Sequence, residues 1–494
     1  MPTQKFPPMT KDFPSFDCDA HVAEPARIWE LAKENLSKDE LDALKQAMWL
    51  DSETNQLSVN GVVGAGIRSN EGAGAAGAMN LISVAGPGMK HPIQRALNVR
   101  NLRKETALTK AQSAYVDHRG AYEPKARLKD MDTQGIDQVM IIPSDIDTYP
   151  WIQDGRGAAA LCKAYNNWAW DYCQEDPERI FFAALLPLQD TRLAVRELHR
   201  VADKGCRVGL VRPIDAMGNY PLQPKYEPLW RAMEETGVVY GMHPFPALGS
   251  LKPPGYTEQH SASELINKTV VSAGIPHGFL TNVQNFQSEA SLWVVSALFS
   301  GLFERFPKLN AAVFEASSTW LSFVLDECDK YYKLYRNERT MRPLKQLPSE
   351  TFFEHCVTGF EGDEAPPSRM PEFYEDILVW SSDVYHHDGD DVWRAMETMQ
   401  GANLSRERQA KFLGGNARRA YNIPEPKNFI RERQTEIERP DWWPTQEEID
   451  YAMTPEAGVS PYARALNESK ASVSKSRASS APQRAAKLVA GGAE

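Results

Sequence analysis

From about residue 16 to residue 425, short apolar runs alternate with longer amphipathic stretches, and this alternation limits the fold more than any other feature of the chain. A short apolar run reads as a strand buried on both faces. A longer stretch that is apolar on one side only reads as a helix lying over a sheet. Their alternation spells repeated βα units around a parallel sheet. Strand candidates fall at 16–21, 136–143, 180–186, 206–212, 238–243, 311–315, 356–358 and 377–382. Helical stretches lie between them at 122–134, 159–175, 190–204, 224–236, 289–305 and 320–339. Eight strands with intervening helices close into a (β/α)₈ TIM barrel more readily than they extend an open sheet. The seventh candidate is the weakest and leaves the count open by one.

The barrel, 16–425, is expected to carry additions. Residues 1–15 are proline-rich and read as an irregular arm. An insertion at about 55–95 contains GAGIRSNEGAGAAGAMNLISVAGPG at 64–88, too rich in glycine for helix or strand and expected to lie mobile over the site. It has no G-x-G-x-x-G after a strand, which argues against a dinucleotide loop. The stretch 244–288 is too long for a plain loop and suggests a lid or interface. Residues 426–467, with Trp442 and Trp443, read as a C-terminal extension packing on the barrel or a neighbour. From 468 to 494 the chain is Ser/Ala/Lys/Arg-rich and is expected to be disordered.

Bulk properties narrow the function classes. A net charge of −11 argues against nucleic acid or an anionic membrane as partner. No apolar run is long enough to span a bilayer, and no secretory h-region opens the chain. Six scattered cysteines without a C-x-x-C read as reduced, buried thiols. A cytoplasmic enzyme acting on a small molecule is the resulting expectation.

Three strand ends carry chemistry. In DCDAHVAEP, Asp19 and His21 stand two apart on the first strand and so share a face, at the end where barrel enzymes keep their sites. Together they look like two metal ligands. Taken alone, the pair fits equally an Asp that caps the next helix and a His satisfied by it. His243 ends the fifth strand before Pro244, which cannot continue the ladder. Asp383 ends the eighth strand, beside the first, and is followed by His386 and His387. Each group has an ordinary structural reading by itself, a buried His or a capping Asp. Their shared placement at three strand ends favours a metal site, because a divalent cation compensates carboxylates that are expensive to bury alone.

These segments, with RLKDMDTQGID at 127–137, YGMHPF at 240–245, FEASSTW at 314–320 and SSDVYHHDG at 381–389, resemble the amidohydrolase superfamily. The resemblance is to amidohydrolase-related family 2, in the branch related to aminocarboxymuconate-semialdehyde decarboxylase. It implies a single divalent metal ion held by Asp19, His21, His243 and Asp383. Zinc is expected first, with Mn²⁺ or Fe²⁺ as alternatives, since ligand type does not choose among them. It also implies a homo-oligomer, dimer or tetramer.

Two positions depart from the family. Arg212 ends the fourth strand where binuclear members have a bridging lysine, so a mononuclear site is expected. Glu315 stands where several decarboxylases keep a catalytic His after the sixth strand, and His277 is a candidate replacement. Arg212 is read either as a clamp for a substrate carboxylate or as half of an ion pair. His386 and His387 are read as pocket-lining groups, as groups that orient Asp383, or as solvated loop residues. Asp383 is the expected proton carrier, with His243 also catalytic. Non-oxidative decarboxylation of an aromatic or unsaturated acid stands narrowly ahead of hydrolysis of an amide, ester, lactone or C–C bond. A barrel that has lost its chemistry and only binds is the third reading.

Overall fold

The structure is a computed structural model and describes residues 3–22, 24, 27–51, 56–64, 118–144, 146–212, 220–244, 284–384 and 389–438. Eight parallel strands form the central sheet. They are β1 (Phe16–His21), β2 (Gln138–Ile142), β3 (Ile180–Leu185), β4 (Val208–Val211), β5 (Val239–Met242), β6 (Ala311–Val313), β7 (Cys356–Glu361) and β8 (Leu378–Ser381). Each pairs with its neighbour in chain order, and all eight sequence candidates are present. The seventh, expected as the shortest, runs over six residues.

The strand residues are almost entirely buried, as a sheet enclosed by helices requires. Helices lie between successive strands, including Gly155–Cys173, Thr191–Asp203, Glu227–Thr236, Asn285–Phe299 and Leu321–Tyr335. Local chemistry sets where they begin. Asp154 and Asp190 cap their helices by accepting from backbone N–H groups of the first turn. Within Gly155–Cys173, the buried Asn166 donates to Leu185 O (3.0 Å) and accepts from Leu185 N (2.9 Å), so this helix grips the C-terminal end of β3.

The sheet closes into a barrel through a seam between β8 and β1. Asp383 N donates to Asp19 O (3.1 Å) and His21 N donates to Val384 O (2.6 Å). Asp17 accepts from both the Ser382 backbone N–H (2.9 Å) and the Ser382 hydroxyl.

The additions differ from their sequence reading. The arm is not irregular throughout: Thr3–Lys5 pairs antiparallel with Glu436–Glu438, and Thr10 bridges Glu432. Strand pairing satisfies the backbone there despite the prolines, which fall outside the ladder. Lys11 forms a buried ion pair with Asp137, which also accepts from Ser15 N (2.7 Å) and Ile430 N (2.7 Å). One carboxylate thus joins the arm, the start of β2 and the chain beyond the barrel.

After β1, a three-stranded antiparallel sheet (Met48–Asp51, Gln56–Val59, Val62–Gly64) occupies the start of the expected insertion. Its second turn is Asn60-Gly61, both at positive φ, a two-residue hairpin signal that the glycine-rich text beside it obscured. Residues 65–117, 245–283 and 439–494 lie outside the described residues, and with them the rest of the insertion, most of the 244–288 stretch, Trp442, Trp443 and the tail. All six cysteines are buried and unbridged.

Two stability predictions follow from local geometry. Gly135 ends the helix Pro124–Gln134 in the left-handed conformation (φ 75°), and a Cβ there would stand 2.6 Å from the Trp393 ring. Gly135→Ala is expected to lower unfolding free energy by about 2–4 kcal/mol, combining left-handed strain with overpacking. Denaturant titration at constant m-value measures it. Asp391 caps the helix Val392–Gly401, and burial, then the neighbouring Asp390 charge, pushes its carboxyl up to about 7. A carboxyl whose folded pKa is raised binds more protons folded than unfolded, so it takes stability away as pH rises from about 4 to about 7. Asp391→Asn keeps a good cap and should gain stability relative to the parent across that window. A pH-independent difference in melting temperature would contradict it.

Candidate metal centre

The strands deliver four polar side chains to one end of the barrel. Asp19 and His21 come from β1, which carries a register irregularity between Asp17 and Ala20. Bulges of this kind re-aim side chains next to functional sites. His243 and Pro244 follow β5 directly, and Asp383 follows β8 at φ 55°. Asp tolerates the left-handed region better than most residues, and here it turns the backbone so that the Asp383 N–H meets Asp19 O. Asp19, His21, His243 and Asp383 are all buried.

Their functional atoms converge. Asp19, His21 and His243 each offer a ligand atom, and the three atoms lie within 4.8 Å of one another. His21 Nε2 stands 3.5 Å from Asp19 Oδ1 and 3.3 Å from Asp383 Oδ1, while His243 Nε2 stands 3.8 Å from Asp19 Oδ2. The two imidazoles meet edge to face with centroids 5.6 Å apart. The far side of each ring is engaged. His21 Nδ1 lies 3.1 Å from Pro143 O and 3.1 Å from Ser144 Oγ, and His243 Nδ1 lies 2.7 Å from Pro244 O. A carbonyl only accepts, so Nδ1 carries a proton in both rings, and the neutral form of each imidazole turns the Nε2 lone pair to the cluster.

This donor set fits a divalent cation. Ligand atoms bonded at about 2.1 Å to one tetrahedral ion stand about 3.4 Å apart, close to the separations found. Imidazole nitrogen and carboxylate oxygen together suit zinc, manganese or ferrous iron. Cys18, between the two aspartates in sequence, adds no ligand. Burial first, then the Asp19 and Asp17 charges, push its thiol well above the ordinary range, so it stays protonated.

The remaining sequence candidates fall differently. Glu315 follows β6 at φ 42° and puts Oε2 3.1 Å from His243 Nε2, at the edge of the cluster and partly exposed. Arg212 is buried and pairs with the equally buried Glu289 (3.0 Å) from the helix Asn285–Phe299. Of its two sequence readings, the ion pair is the one found. His277, His386 and His387 lie outside the described residues.

Other groups that shape the site went unnoticed in the sequence. Asp17 holds Ser382 next to Asp383. Burial pushes its carboxyl up to about 7, opposed by the hydrogen bonds from Ser382 and Asp19 N. Buried Arg127 donates to His21 O, to Gly120 O (3.1 Å) and to Tyr172 Oη (3.1 Å). Glu24 accepts from Ser144 N (2.8 Å) and Ile146 N (3.2 Å), fixing the loop that holds His21 Nδ1. Signals existed: Asp17 continues the two-residue spacing of Asp19 and His21, and Arg127 opens RLKDMD.

Comparison with known proteins bears on the barrel and its family. Gamma-resorcylate decarboxylase from Rhizobium sp. (strain MTP-10005) is 29% identical over 306 residues, 60% of this chain and 86% of that one. The corresponding protein of Rhizobium radiobacter is 28% identical over the same shares. Among solved structures, an amidohydrolase from Mycobacterium avium subsp. paratuberculosis K-10 superposes with a TM-score of 0.60 at 18% identity, covering 83% of this chain and 99% of its own. The 5-carboxyvanillate decarboxylase LigW from Sphingomonas paucimobilis gives 0.52 at 16% identity, covering 84% of this chain and all of its own. At such identities the structural likeness speaks for the barrel alone. The amidohydrolase family model matches residues 16–423, the whole barrel with its site, and the chain belongs to that family.

Proposed function

We propose that this chain is a metal-dependent, non-oxidative decarboxylase of an aromatic carboxylic acid with an oxygen substituent beside the carboxylate. The observation that carries the reading is the convergence of Asp19, His21 and His243, with both imidazole Nε2 atoms turned inward and Asp383 against His21. Similarity to gamma-resorcylate decarboxylases supplies the reaction class. In gamma-resorcylate, hydroxyl oxygens flank the carboxylate, so carboxylate and neighbouring oxygen together make a chelating edge.

Asp19, His21 and His243, with Asp383 as ligand or near-ligand, would hold the cation. When bound, the ion supplies Lewis acidity toward that chelating edge. Zinc is the ion expected from the sequence. Manganese is equally compatible with the donors and is present in the structure of a 5-carboxyvanillate decarboxylase from Novosphingobium aromaticivorans.

The chain's own residues handle the proton. As the bond to the carboxylate carbon breaks, its electron pair stays on the ring carbon and takes a proton, and carbon dioxide leaves. We assign that proton to the Asp383 carboxyl, which is then reprotonated from water. Its positive φ and its backbone bond to Asp19 support that role, because they hold Asp383 against the end of β1. His243 orients the substrate edge from the opposite side, and Glu315 faces it across 3.1 Å. Arg212 keeps the end of β4 rigid through Glu289.

Asp383→Asn is expected to lower kcat by at least about a thousandfold while leaving the circular dichroism spectrum intact, the scale of losing both a proton carrier and a metal contact. Near-parental turnover would remove Asp383 from that role. A second test is metal content joined to a substrate screen. Protein stripped with chelator should lose activity and regain it with Mn²⁺ or Zn²⁺, with about one ion bound per chain by elemental analysis. Release of carbon dioxide from ortho-hydroxylated benzoates is the expected positive. Turnover confined to amides, esters or lactones would reassign the site to hydrolysis.

A further inference from the structure

Two neighbouring barrel helices, Asn285–Phe299 and Leu321–Tyr335, present apolar residues where an isolated barrel would present charge. In Asn285–Phe299 the core face is filled by Ala290, Trp293, Val294 and Ala297, yet Leu292 (52% exposed) and Val295 stand on the outer face. A helix that is apolar all round is covered on both sides in the functional assembly. Leu321–Tyr335 carries charges on its outer face, yet sets large apolar groups among them: Phe323 is 68% exposed, Leu334 63% exposed, and Tyr331 and Tyr335 are exposed as well. The helices touch through Phe299 and Tyr332, whose ring centroids are 6.4 Å apart, so the exposed groups belong to one patch. It offers on the order of 500 Å², taking roughly 200 Å² for a whole aromatic side chain. That is a large share of the roughly 800 Å² per partner of an ordinary stable interface. Patches of this size on a soluble barrel mark an interaction site.

The order of residues along Leu321–Tyr335 identifies the occupant. Phe323, Glu327, Lys330 and Leu334 fall on one stripe, spaced by four, three and four residues, the seam spacing of paired helices. Read outward from the middle, the stripe is apolar–acidic–basic–apolar. An identical helix laid antiparallel across a two-fold axis sets Phe323 opposite Leu334 and Glu327 opposite Lys330, twice over. A self-complementary surface is what an isologous dimer needs. Within one chain, Glu327 and Lys330 already pair at 3.0 Å, but Lys330 is exposed and Glu327 only half-buried, and such a pair contributes little unless a partner desolvates it. We infer that this face is the two-fold interface between copies of this chain, with the helices Leu321–Tyr335 crossing antiparallel at Glu327 and Lys330.

Charge exchange across the axis tests the arrangement. In the full-length protein, Glu327→Lys alone sets lysine against the partner's lysine, and Lys330→Glu alone sets glutamate against glutamate. Each variant should dissociate at least about tenfold more readily in sedimentation velocity, the scale of one close interface charge pair. An equimolar mixture of the two variants makes both crossing pairs opposite in sign and should restore association to the parental level. Leu334→Asp should yield monomer whose circular dichroism and melting temperature show a folded barrel. A parent protein that is monomeric at micromolar concentration would overturn the inference, whether or not another segment of its own chain covers the patch. Single variants that associate like the parent, or a mixture that fails to recover, would overturn it equally. None of these outcomes bears on the reaction at the barrel mouth.

Discussion

Asp17 takes both the backbone N–H and the hydroxyl of Ser382, and through that grip the last strand of the barrel is held against the first. The seam has few regular ladder bonds, so side-chain contacts complete what pairing elsewhere does alone. The cost is a carboxyl buried deeply enough that its pKa rises to about 7. The return is geometric. The same seam sets Asp19, His21 and Asp383 side by side, because their backbones are tied to each other at Asp19 O and Val384 O. His243 then completes the cluster from β5. Any loosening between β1 and β8 therefore moves three functional atoms at once.

The barrel was legible because its strands are apolar on both faces and its helices on one, a contrast that survives insertions. Even the doubtful seventh strand was correctly placed, and only its length was underestimated. The strand-end candidates were legible because barrel chemistry concentrates at one rim. What escaped were contacts between residues far apart in sequence. Nothing local to Arg127 announces that it holds His21 O, and nothing local to Glu24 announces its hold on Ser144. The Asn60-Gly61 turn was a local signal, but the glycine-rich text that follows hid it. Arg212 shows the same limit: its ion-pair partner, Glu289, lies 77 residues on, beyond any local reading.

Glu315 Oε2 stands 3.1 Å from His243 Nε2, so a second carboxylate borders the cluster beside Asp19. Glu315 and Asp383, both at positive φ after strands, each stand against one histidine. The mouth is thus arranged as two carboxylate–imidazole pairs sharing Asp19.

The six buried cysteines have a consequence for handling the protein. Burial pushes each thiol up, Cys206 to about 12 and Cys328 to about 11, so the reactive thiolate is scarce in the folded state. They are spread from β1 to β7 with helices between, and no two share a disulfide. Oxidants and alkylating reagents reach them only when the surrounding element opens. The molecule therefore carries its own set of opening clocks, one near each of several strands and helices. The order in which those thiols are labelled reads out which part of the barrel breathes first.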